Sequence, residues 1–265
     1  MAFVTGAARA QGRSHAVHYA RNGADVVVTD IAHDIDTNPY ELGTSDELAE
    51  TASLVEDEGQ DALVVETDVR DEDEVRAAVD AALAEFGRID VLANNAGIFN
   101  SAEMVKLPEA QWDDMLDTNL KGVWLCAKHV GKHFVDRGDG GKIVSTTSGL
   151  GMHAAYACGH YGAAKWGVRG LTKTLALELA EYDVNVNCVA PTVVNTPMIT
   201  GFVEAYGEEV LEEMGRLSGP VNVFHPEDGG IESEDISEAY MWLSSDAARY
   251  VTGVTLPVDA GYAAK

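Results

Sequence analysis

Short apolar runs of strand length alternate with amphipathic helical patterns along the whole chain. The run ADVVVTD from residue 24 is nearly continuous in apolar residues, a pattern typical of a strand buried on both faces of a parallel sheet. ALVVETDV from residue 62 is predicted as another buried strand, and DVNVNCVAP from residue 183 as a further strand. Strands that alternate with helices form α/β folds, and right-handed crossovers place helices on both faces of the sheet. The sequence therefore predicts a doubly wound parallel sheet of the Rossmann type.

No linker, repeat or low-complexity segment divides the 265 residues, so we expect one domain over residues 1–265. The sequence shows neither a charged and apolar leader nor an apolar run of about 18 residues, the usual minimum for a membrane span. The expected location is the cytoplasm. Three cysteines without CxxC spacing predict buried free thiols and no metal site.

The charge balance is strongly acidic, with 44 acidic and 18 basic side chains and a net charge of −26. Such a surface repels nucleic acid and anionic membranes, so neither is expected as a partner. It also repels itself, and salt weakens this repulsion because the Debye length falls from about 10 Å at 0.1 M to about 3 Å at 1 M. Two interpretations stay open: a halophilic protein and an ordinary acidic enzyme.

A glycine-bearing turn follows the first apolar run, in the sequence TGAARAQGRS from residue 5. Gly6 and Gly12 flank this turn at the start of a helix, so backbone N–H groups there can bind a pyrophosphate with help from the helix dipole. Ala10 stands where such turns often have a middle glycine. Its methyl group lies where the backbone should pass closest to the ligand, so Ala10 alone weakens the prediction of a dinucleotide site.

Asp30 ends the second strand, 18 residues after Gly12. A carboxylate there accepts hydrogen bonds from both adenosine ribose hydroxyls of NAD and repels the 2′-phosphate of NADP. Arg9 and Arg13 lie beside the phosphate turn and favour NADP. An arginine can turn to the pyrophosphate or to solvent, whereas the carboxylate remains in direct conflict with a 2′-phosphate. The predicted cofactor is therefore NAD.

The next two strands also end in small or polar residues. Asp68 and Val69 follow the third strand, where a carboxylate can accept from the adenine amino group. Residues 94–97, NNAG, follow the fourth, where small residues let the backbone approach the adenosine ribose. Each alone is typical of an ordinary strand-end turn. Their repetition at successive strand ends favours one nucleotide site.

Tyr161 and Lys165 stand four residues apart on a predicted helix, which puts the phenol and the ammonium on one face. A free tyrosine has a pKa of about 10, and the positive charges of Lys165 and an oxidised nicotinamide are expected to lower the pKa of Tyr161. Tyr161 can then accept a proton from an alcohol while hydride leaves, or return it to a carbonyl. Ser148 follows the strand KIVSTT and can orient the same oxygen.

Residues 108–136 are predicted to be helical, with Asn119 inside this stretch. Asparagine is a poor residue for a helix interior unless its side chain bonds something specific. We expect it to hold a water that connects Lys165 with solvent.

Together these motifs resemble the short-chain dehydrogenase/reductase family over essentially the whole chain. The segments that carry the resemblance are TGAARAQG, DV at 68, NNAG, Asn119, Ser148 thirteen residues before YGAAK, and VTGVTLPVDAGY. The resemblance implies that Asn119, Ser148, Tyr161 and Lys165 form a catalytic tetrad, in which Lys165 also binds the nicotinamide ribose. It also implies a tetramer of 222 symmetry.

The same resemblance extends to the segment APTVVNTPM, where Val194 and Thr196 would hold the carboxamide. Thr192 stands where many relatives have glycine, which leaves the local backbone geometry open. The other predicted cofactor contacts are Arg9, Gln11, Ile31, Asn95, Ala96, Gly97 and Thr146.

A closer resemblance is to a carveol-dehydrogenase-like subgroup, carried by TGAARAQGRSHA, DTNPYELGTSDELAETASLVE and PTVVNTPMI. In that subgroup the nicotinamide cofactor stays bound through turnover and passes its hydride to a peptide-derived carrier, mycofactocin. Residues 31–44 form an insert longer than the roughly 2–6 residues usual after such a strand, ending where Thr44 and Glu47 are spaced as a capping box. We expect the insert to cover the adenosine and slow the release of NAD; the alternative is an ordinary surface loop.

Residues 197–232 are predicted to be irregular or weakly helical and to cover the substrate as an apolar flap. The apolar residues of this flap are Met198, Ile199, Phe202, Met214, Leu217, Val223 and Phe224. His153, Tyr156 and His160 are candidates for lining the substrate pocket, although a structural role is the commoner fate of a loop histidine. The flap predicts an apolar secondary alcohol or ketone, such as a terpenoid.

Two other functions stay open. One is a freely exchanging NADPH-dependent 3-oxoacyl or ketone reductase, against which Asp30 and the long insert argue. The other is a non-catalytic nucleotide-binding protein, against which the presence of both Tyr161 and Lys165 argues.

Overall fold

The computed structural model describes residues 1–218 and 230–264. Within these ranges, seven strands form one sheet in which every neighbouring pair is parallel. The strands are β1 (Ala2–Thr5), β2 (Val26–Asp30), β3 (Ala62–Glu66), β4 (Val91–Asn94), β5 (Gly141–Thr146), β6 (Val184–Pro191) and β7 (Thr255–Val258). Their order across the sheet is β3-β2-β1-β4-β5-β6-β7. The predicted doubly wound parallel sheet is confirmed.

Nine helices connect or follow the strands in the described ranges. They are α1 (Ala10–Arg21), α2 (Ser45–Asp57), α3 (Glu72–Phe86), α4 (Glu109–Leu116), α5 (Gly122–Arg137), α6 (Gly159–Glu178), α7 (Pro197–Tyr206), α8 (Glu208–Ser218) and α9 (Ser233–Ser244). Among the described residues, no helix combines the length and apolar character that a membrane crossing needs.

Each face of the sheet has its own apolar core. On one face, Leu48 of α2 and Tyr240 of α9 pack with α1 against the strands. On the other face, Val75 of α3 and Phe134 of α5 pack with the C-terminal part of α6. Helices on both faces explain why the strands read as nearly continuous apolar runs.

The chain reverses its direction of travel across the sheet at β1. Ala2 of this strand pairs with Val26 of β2 on one side and with Val91 of β4 on the other. The connections after β1 and β4 diverge to opposite faces at such a reversal, which leaves a crevice beyond the carboxyl ends of the strands. The predicted site residues follow these strand ends.

The insert after β2 contains neither helix nor strand over residues 31–44. It ends at Thr44, whose hydroxyl accepts the N–H of Glu47 while the Glu47 carboxylate accepts the N–H of Thr44. The predicted capping box is therefore confirmed. It determines where α2 begins and where the insert rejoins the regular fold.

The stretch predicted as helical over residues 108–136 contains an irregularity. Between α4 and α5 the backbone forms a π turn over Asp117–Lys121. A π turn places one extra residue in the helix and is often found at functional sites. Asn119 lies in this turn and is fully buried.

Of residues 197–232, predicted to be irregular or weakly helical, those of α7 and α8 form regular helices. Thr196 has an extended backbone, and Pro197 occupies the first turn of α7, where its missing N–H costs no hydrogen bond. Phe202 of α7 is fully buried. Two predicted flap residues, Val223 and Phe224, lie outside the described residues.

Candidate active site at the sheet end

A cavity lies beyond the carboxyl ends of β1 to β5 and is closed on its outer side by the insert and α7. All of the predicted site residues line it except Ser148 and Val194. Val194 is buried and forms a β-bridge with Ile231. Ser148 lies behind the cavity lining, against Tyr161.

The turn after β1 is packed so closely that it needs its two glycines. Gly6 has a φ of +66°, and a Cβ on it would lie 2.7 Å from the Cα of Ala96. A Cβ on Gly12 would lie 1.9 Å from the carbonyl oxygen of Gly6. The start of α1 and the turn after β4 are thereby brought together around the cavity, in an arrangement that suits a pyrophosphate.

Ala10 adopts the left-handed conformation that favours glycine, with a φ of +50°. This conformation costs an L-residue roughly 1–2 kcal/mol. Ala10 also lines the cavity. Its departure from glycine therefore places both a methyl group and backbone strain at the nucleotide turn.

Asp30 directs its carboxylate into the cavity from the end of β2. The carboxylate accepts the N–H of Ala8 at 3.0 Å and that of Ala32 at 3.4 Å. Burial raises the pKa of Asp30, although these backbone donors act to lower it. A Cβ on Gly43 would lie 3.3 Å from Asp30 Oδ1, so the insert passes directly over this side chain.

The two arginines of the phosphate turn are bonded to the insert and to α2. Arg13 donates to the carbonyl oxygens of Ala8 (2.7 Å) and Glu47 (3.0 Å), and pairs with the carboxylate of Glu50 at 2.8 Å. Arg9 donates to the carbonyl oxygen of Glu41 in the insert. The guanidinium of Arg13 is therefore occupied by the protein's own backbone and by Glu50, and is not free to bind the 2′-phosphate of NADP.

Asp68 belongs to a chain of polar contacts that reaches the insert. Burial acts to raise the pKa of Asp68, but hydrogen bonds from Arg70 hold it below its ordinary value. Arg70 also pairs with Asp114 of α4 at 2.7 Å, and Thr37 of the insert donates to Asp114 at 2.7 Å. This network fixes the insert to the adenosine side of the cavity.

Four residues of the insert that the sequence did not identify individually as site residues also line the cavity: Ile35, Tyr40, Leu42 and Gly43. Further lining residues not predicted as cofactor contacts are Thr67, Ile98, Thr118, Pro197 and Met198. The only sequence signal for the insert residues is apolar side chains within a polar segment, because a segment without helix or strand has no periodicity to interpret.

Tyr161, Ser148 and Lys165 converge at the inner end of the cavity. The Ser148 hydroxyl is hydrogen-bonded to that of Tyr161, and the Lys165 Nζ lies 5.5 Å from the centre of the Tyr161 ring. Burial raises the pKa of Tyr161 to about 12 and lowers the pKa of Lys165 to about 8. The lowering of the Tyr161 pKa that Lys165 and an oxidised nicotinamide together are expected to cause stays a prediction, because this structure holds no nicotinamide.

Lys165 and Asn119 are held from the ends of β5 and β4. Lys165 Nζ donates to the carbonyl oxygen of Thr146 at 3.0 Å. Asn119 Nδ2 donates to the carbonyl oxygens of Ile98 (3.0 Å) and Met115 (3.2 Å). Asn119 Oδ1 is buried without a protein partner and so remains free to accept a further hydrogen bond.

The residues between Ser148 and Tyr161 do not line the cavity. His160 is fully buried and is hydrogen-bonded through Nε2 to Asn100 Oδ1. The ring of His153 lies 5.0 Å from that of Tyr262, and Tyr156 interacts with Glu103. The sequence left these three as candidates, and the structure favours their structural role.

The backbone geometry at Thr192, left open by the sequence, is ordinary. Thr192 has no positive φ, and its N–H donates to the carbonyl oxygen of Val258 at 3.2 Å.

The arrangement fits a nicotinamide dinucleotide. A glycine-bounded turn at a helix start suits the pyrophosphate, Asp30 suits the ribose hydroxyls, and the half-buried Tyr161 and the buried Lys165 lie at the opposite end. A tyrosine that faces a cavity beside a lysine is suited to proton exchange with an alcohol or a carbonyl. The fold and the site therefore define a dinucleotide-dependent oxidoreductase.

Comparison with known proteins narrows this class. A family model described as enoyl-(acyl carrier protein) reductase matches residues 6–263. The chain is 42% identical over 268 residues to a (−)-trans-carveol dehydrogenase of Rhodococcus erythropolis, which covers 98% of this chain and 96% of the relative. It is 38% identical over 267 residues to a cis-4-hydroxycyclohexanecarboxylate dehydrogenase of Sinomonas cyclohexanicum, with 100% and 96% covered.

A solved structure has the same fold over the full length of this chain. The crystal structure of carveol dehydrogenase from Mycobacterium avium in complex with NAD has a TM-score of 0.92 at 39% identity, over 100% of this chain and 97% of that chain. The chain belongs to the short-chain dehydrogenase/reductase family. It is an oxidoreductase, and its cofactor is NAD.

Proposed function

We propose that the protein oxidises an apolar secondary alcohol to a ketone, with Tyr161 as the catalytic base and NAD retained between turnovers. The observation that carries this proposal is the cavity itself. One end presents Asp30 and the phosphate turn, the other presents Tyr161 with Ser148 and Lys165, and the insert covers the first end.

The chain's own residues carry the proton. Ser148 and Tyr161 share a hydrogen bond, so Ser148 can orient the Tyr161 hydroxyl towards the substrate oxygen. The Tyr161 oxygen accepts the hydroxyl proton of the alcohol, and Lys165 stabilises the phenolate that performs this step. When bound, NAD accepts the hydride that leaves the alcohol carbon. Asn119 Oδ1 is the acceptor available for a water that connects Lys165 with solvent.

The preference for NAD over NADP follows from three side chains. The Asp30 carboxylate lies where the ribose hydroxyls belong and repels a 2′-phosphate. The two cations that would offset this repulsion are engaged by the protein: Arg13 by Ala8, Glu47 and Glu50, and Arg9 by the Glu41 carbonyl oxygen and the Glu47 carboxylate. The structure therefore offers no observation that favours the NADPH-dependent reductase.

Retention of NAD rests on the contacts of the insert. Arg9 donates a hydrogen bond to the Glu41 carbonyl oxygen, and Thr37 donates one to the Asp114 carboxylate. Gly43 packs on Asp30. Release of the cofactor requires these contacts to open. A cofactor that stays bound must be reoxidised in place, and we propose that a separate redox carrier such as mycofactocin does this.

The substrate class follows from the apolar cluster beside Tyr161. Phe99, Cys158 and Phe202 are buried there, with Leu150 and Met198 packed against them. Such a wall suits the hydrocarbon body of an alicyclic alcohol. The two dehydrogenase relatives are named for alicyclic alcohols, carveol and a hydroxycyclohexanecarboxylate, which supports the same class for this chain.

Oxidation of (−)-trans-carveol and cyclohexanol tests the proposal, with a dye as the electron acceptor. We expect turnover with carveol and a loss of at least about 100-fold in Tyr161→Phe, since general-base catalysis contributes about 10²–10⁴-fold. Tyr182→Phe is the matched control, because Tyr182 lies in the 3₁₀ turn Ala180–Tyr182 that follows α6 and does not line the cavity. Turnover that survives in Tyr161→Phe, or equal use of NADP, would contradict the proposal.

A further inference from the structure

Tyr40 lies in the insert, but its side chain reaches the far side of the cavity. Its hydroxyl accepts the N–H of Phe99 at 3.0 Å. A Cβ built on Gly201 of α7 would lie 2.5 Å from the Cβ of Tyr40. Tyr40 therefore packs directly on α7, and only glycine at residue 201 leaves room for it.

Phe99 and α7, which Tyr40 contacts, form the wall of the cavity beside Tyr161. The ring of Phe99 meets that of Tyr161 edge to face, with centroids 4.9 Å apart. The rings of Phe99 and Phe202 of α7 are also 4.9 Å apart. A shift of the Phe99 backbone or of α7 would change the space next to the Tyr161 hydroxyl.

The neighbours of Tyr40 belong to the cofactor side. The carbonyl oxygen of Glu41 accepts a hydrogen bond from the guanidinium of Arg9, which belongs to the phosphate turn. Asn38 donates to the Tyr40 carbonyl at 2.6 Å, which fixes the backbone of this stretch. Residues 38–41 thus contact the phosphate turn at one point and the substrate wall at another.

We propose that Tyr40 is a positioning residue that makes NAD retention and substrate binding interdependent. It holds the insert closed over the cofactor and, through the same contacts, holds Phe99 and α7 in place beside Tyr161. The inference rests on the proposed cofactor-retaining role of the insert and assigns the residue that extends this role to the substrate.

Linkage makes this inference quantitative. If substrate and cofactor both favour the closed insert, each must slow the release of the other, because the free energy that links two binding events is reciprocal. Carveol added to the NADH complex gives no reaction, since both are reduced, so it is a suitable probe. Bound carveol should slow NADH dissociation from the wild-type protein.

Tyr40→Phe is the first test, because it keeps the ring on Gly201 and removes only the acceptor of the Phe99 N–H. We expect NADH to dissociate about 2–10 times faster, as loss of one partly buried hydrogen bond predicts. The KM for carveol should rise by a similar factor with kcat within about twofold, and carveol should protect bound NADH less than in wild type. Dissociation is followed by NADH fluorescence after mixing with excess NAD.

Tyr206→Phe is the matched control. The Tyr206 hydroxyl accepts the N–H of Ser101 at 3.5 Å, on the same loop as Phe99, but Tyr206 belongs to α7 and not to the insert. We expect NADH dissociation within about twofold of the wild-type rate, since only one long hydrogen bond is lost and the insert does not form it. An equal acceleration in both variants would overturn the special role of Tyr40.

Gly201→Ala tests the same contact from the other side. Its Cβ must displace Tyr40, so we expect faster NADH dissociation and a higher KM for carveol. Gly170→Ala, on α6, is the control, because nothing lies within 4 Å of a Cβ there. Thermal melting of each variant shows that the fold is intact.

The outcomes separate this inference from the proposed function. If wild type and an insert-deleted chain release NADH equally fast, the cofactor-retaining role itself fails. If wild type retains NADH but Tyr40→Phe and Gly201→Ala leave both NADH dissociation and the KM for carveol unchanged, the role of Tyr40 fails alone.

Discussion

At the scale of single residues, burial opposes the proton transfer that we propose for Tyr161. It raises the pKa of Tyr161 to about 12, whereas alcohol oxidation needs the phenolate near neutral pH. Two positive charges can reverse this effect, the Lys165 ammonium and the oxidised nicotinamide. Because burial lowers the pKa of Lys165 to about 8, its charge is present below that pH and fades above it.

Substitution of Lys165 tests this balance. Oxidation rates should rise with pH as Tyr161 loses its proton, and Lys165→Gln should move this rise upward by about 1–3 pH units, the usual effect of a charge at 4–6 Å. Lys165→Arg keeps the charge and should leave the rise near its wild-type position even if kcat falls. The pH profile of kcat/KM for carveol is the measurement; identical profiles in Lys165→Gln and wild type would contradict the account.

The strained turn at Ala10 gives a second prediction. Ala10→Gly removes a left-handed alanine worth roughly 1–2 kcal/mol of strain, so we expect a melting temperature higher by about 2–5 °C. NAD affinity should change by less than about fivefold, because Gly6 and Gly12 still determine the turn. Calorimetry and NAD titration check both values. Abolished binding would show that Ala10 does not lie where the structure places it.

At the scale of elements, the insert should control the residence time of NAD. Replacement of residues 34–42 by a short glycine-serine link removes Tyr40 and the contacts of Thr37 and Glu41. Since each lost hydrogen bond contributes about 0.5–1.5 kcal/mol, NADH dissociation should accelerate by at least about tenfold. Stopped-flow fluorescence measures the rate. A rate equal to that of the wild-type protein would identify the insert as an ordinary surface loop.

The regular elements were predictable because their signals are local. Buried strands appear as apolar runs, and the capping box of Thr44 and Glu47 spans only four residues. The spacing of Ser148, Tyr161 and Lys165 in the sequence likewise predicts that these three side chains lie close together, as they do in the structure.

Other features depend on tertiary contacts and were not predictable. The π turn around Asn119 follows from packing and not from a repeat in the sequence. The sequence predicted α7 and α8 only as an irregular or weakly helical flap, and the regularity of these two helices was not predictable from it. The raised pKa of Tyr161 and the reach of Tyr40 arise from burial between segments distant in the chain.

At the scale of the whole molecule, the net charge of −26 remains the least explained property. The halophilic interpretation stays a prediction. If self-repulsion destabilises the fold, the melting temperature should rise by at least about 5 °C between 0.1 M and 2 M KCl, which corresponds to roughly 1–3 kcal/mol. Calorimetry across this range is the measurement, and a flat or falling melting temperature would favour an ordinary acidic enzyme.

The tetramer also stays a prediction. Large apolar side chains are exposed on helices that lie side by side: Trp112 of α4, Trp124 of α5 and Trp166 of α6. Such exposure on one chain is typical of a surface covered in an assembly. Light scattering measures the mass, for which the tetramer predicts four chains of 28.3 kDa.

The most direct test of the central claim is the cofactor content of protein purified without added nucleotide. We predict close to one NAD or NADH per chain after gel filtration. Addition of carveol alone should then reduce the bound NAD once, and further turnover should require a dye acceptor even with free NAD present. Protein that emerges without nucleotide and turns over continuously with free NAD would contradict the account.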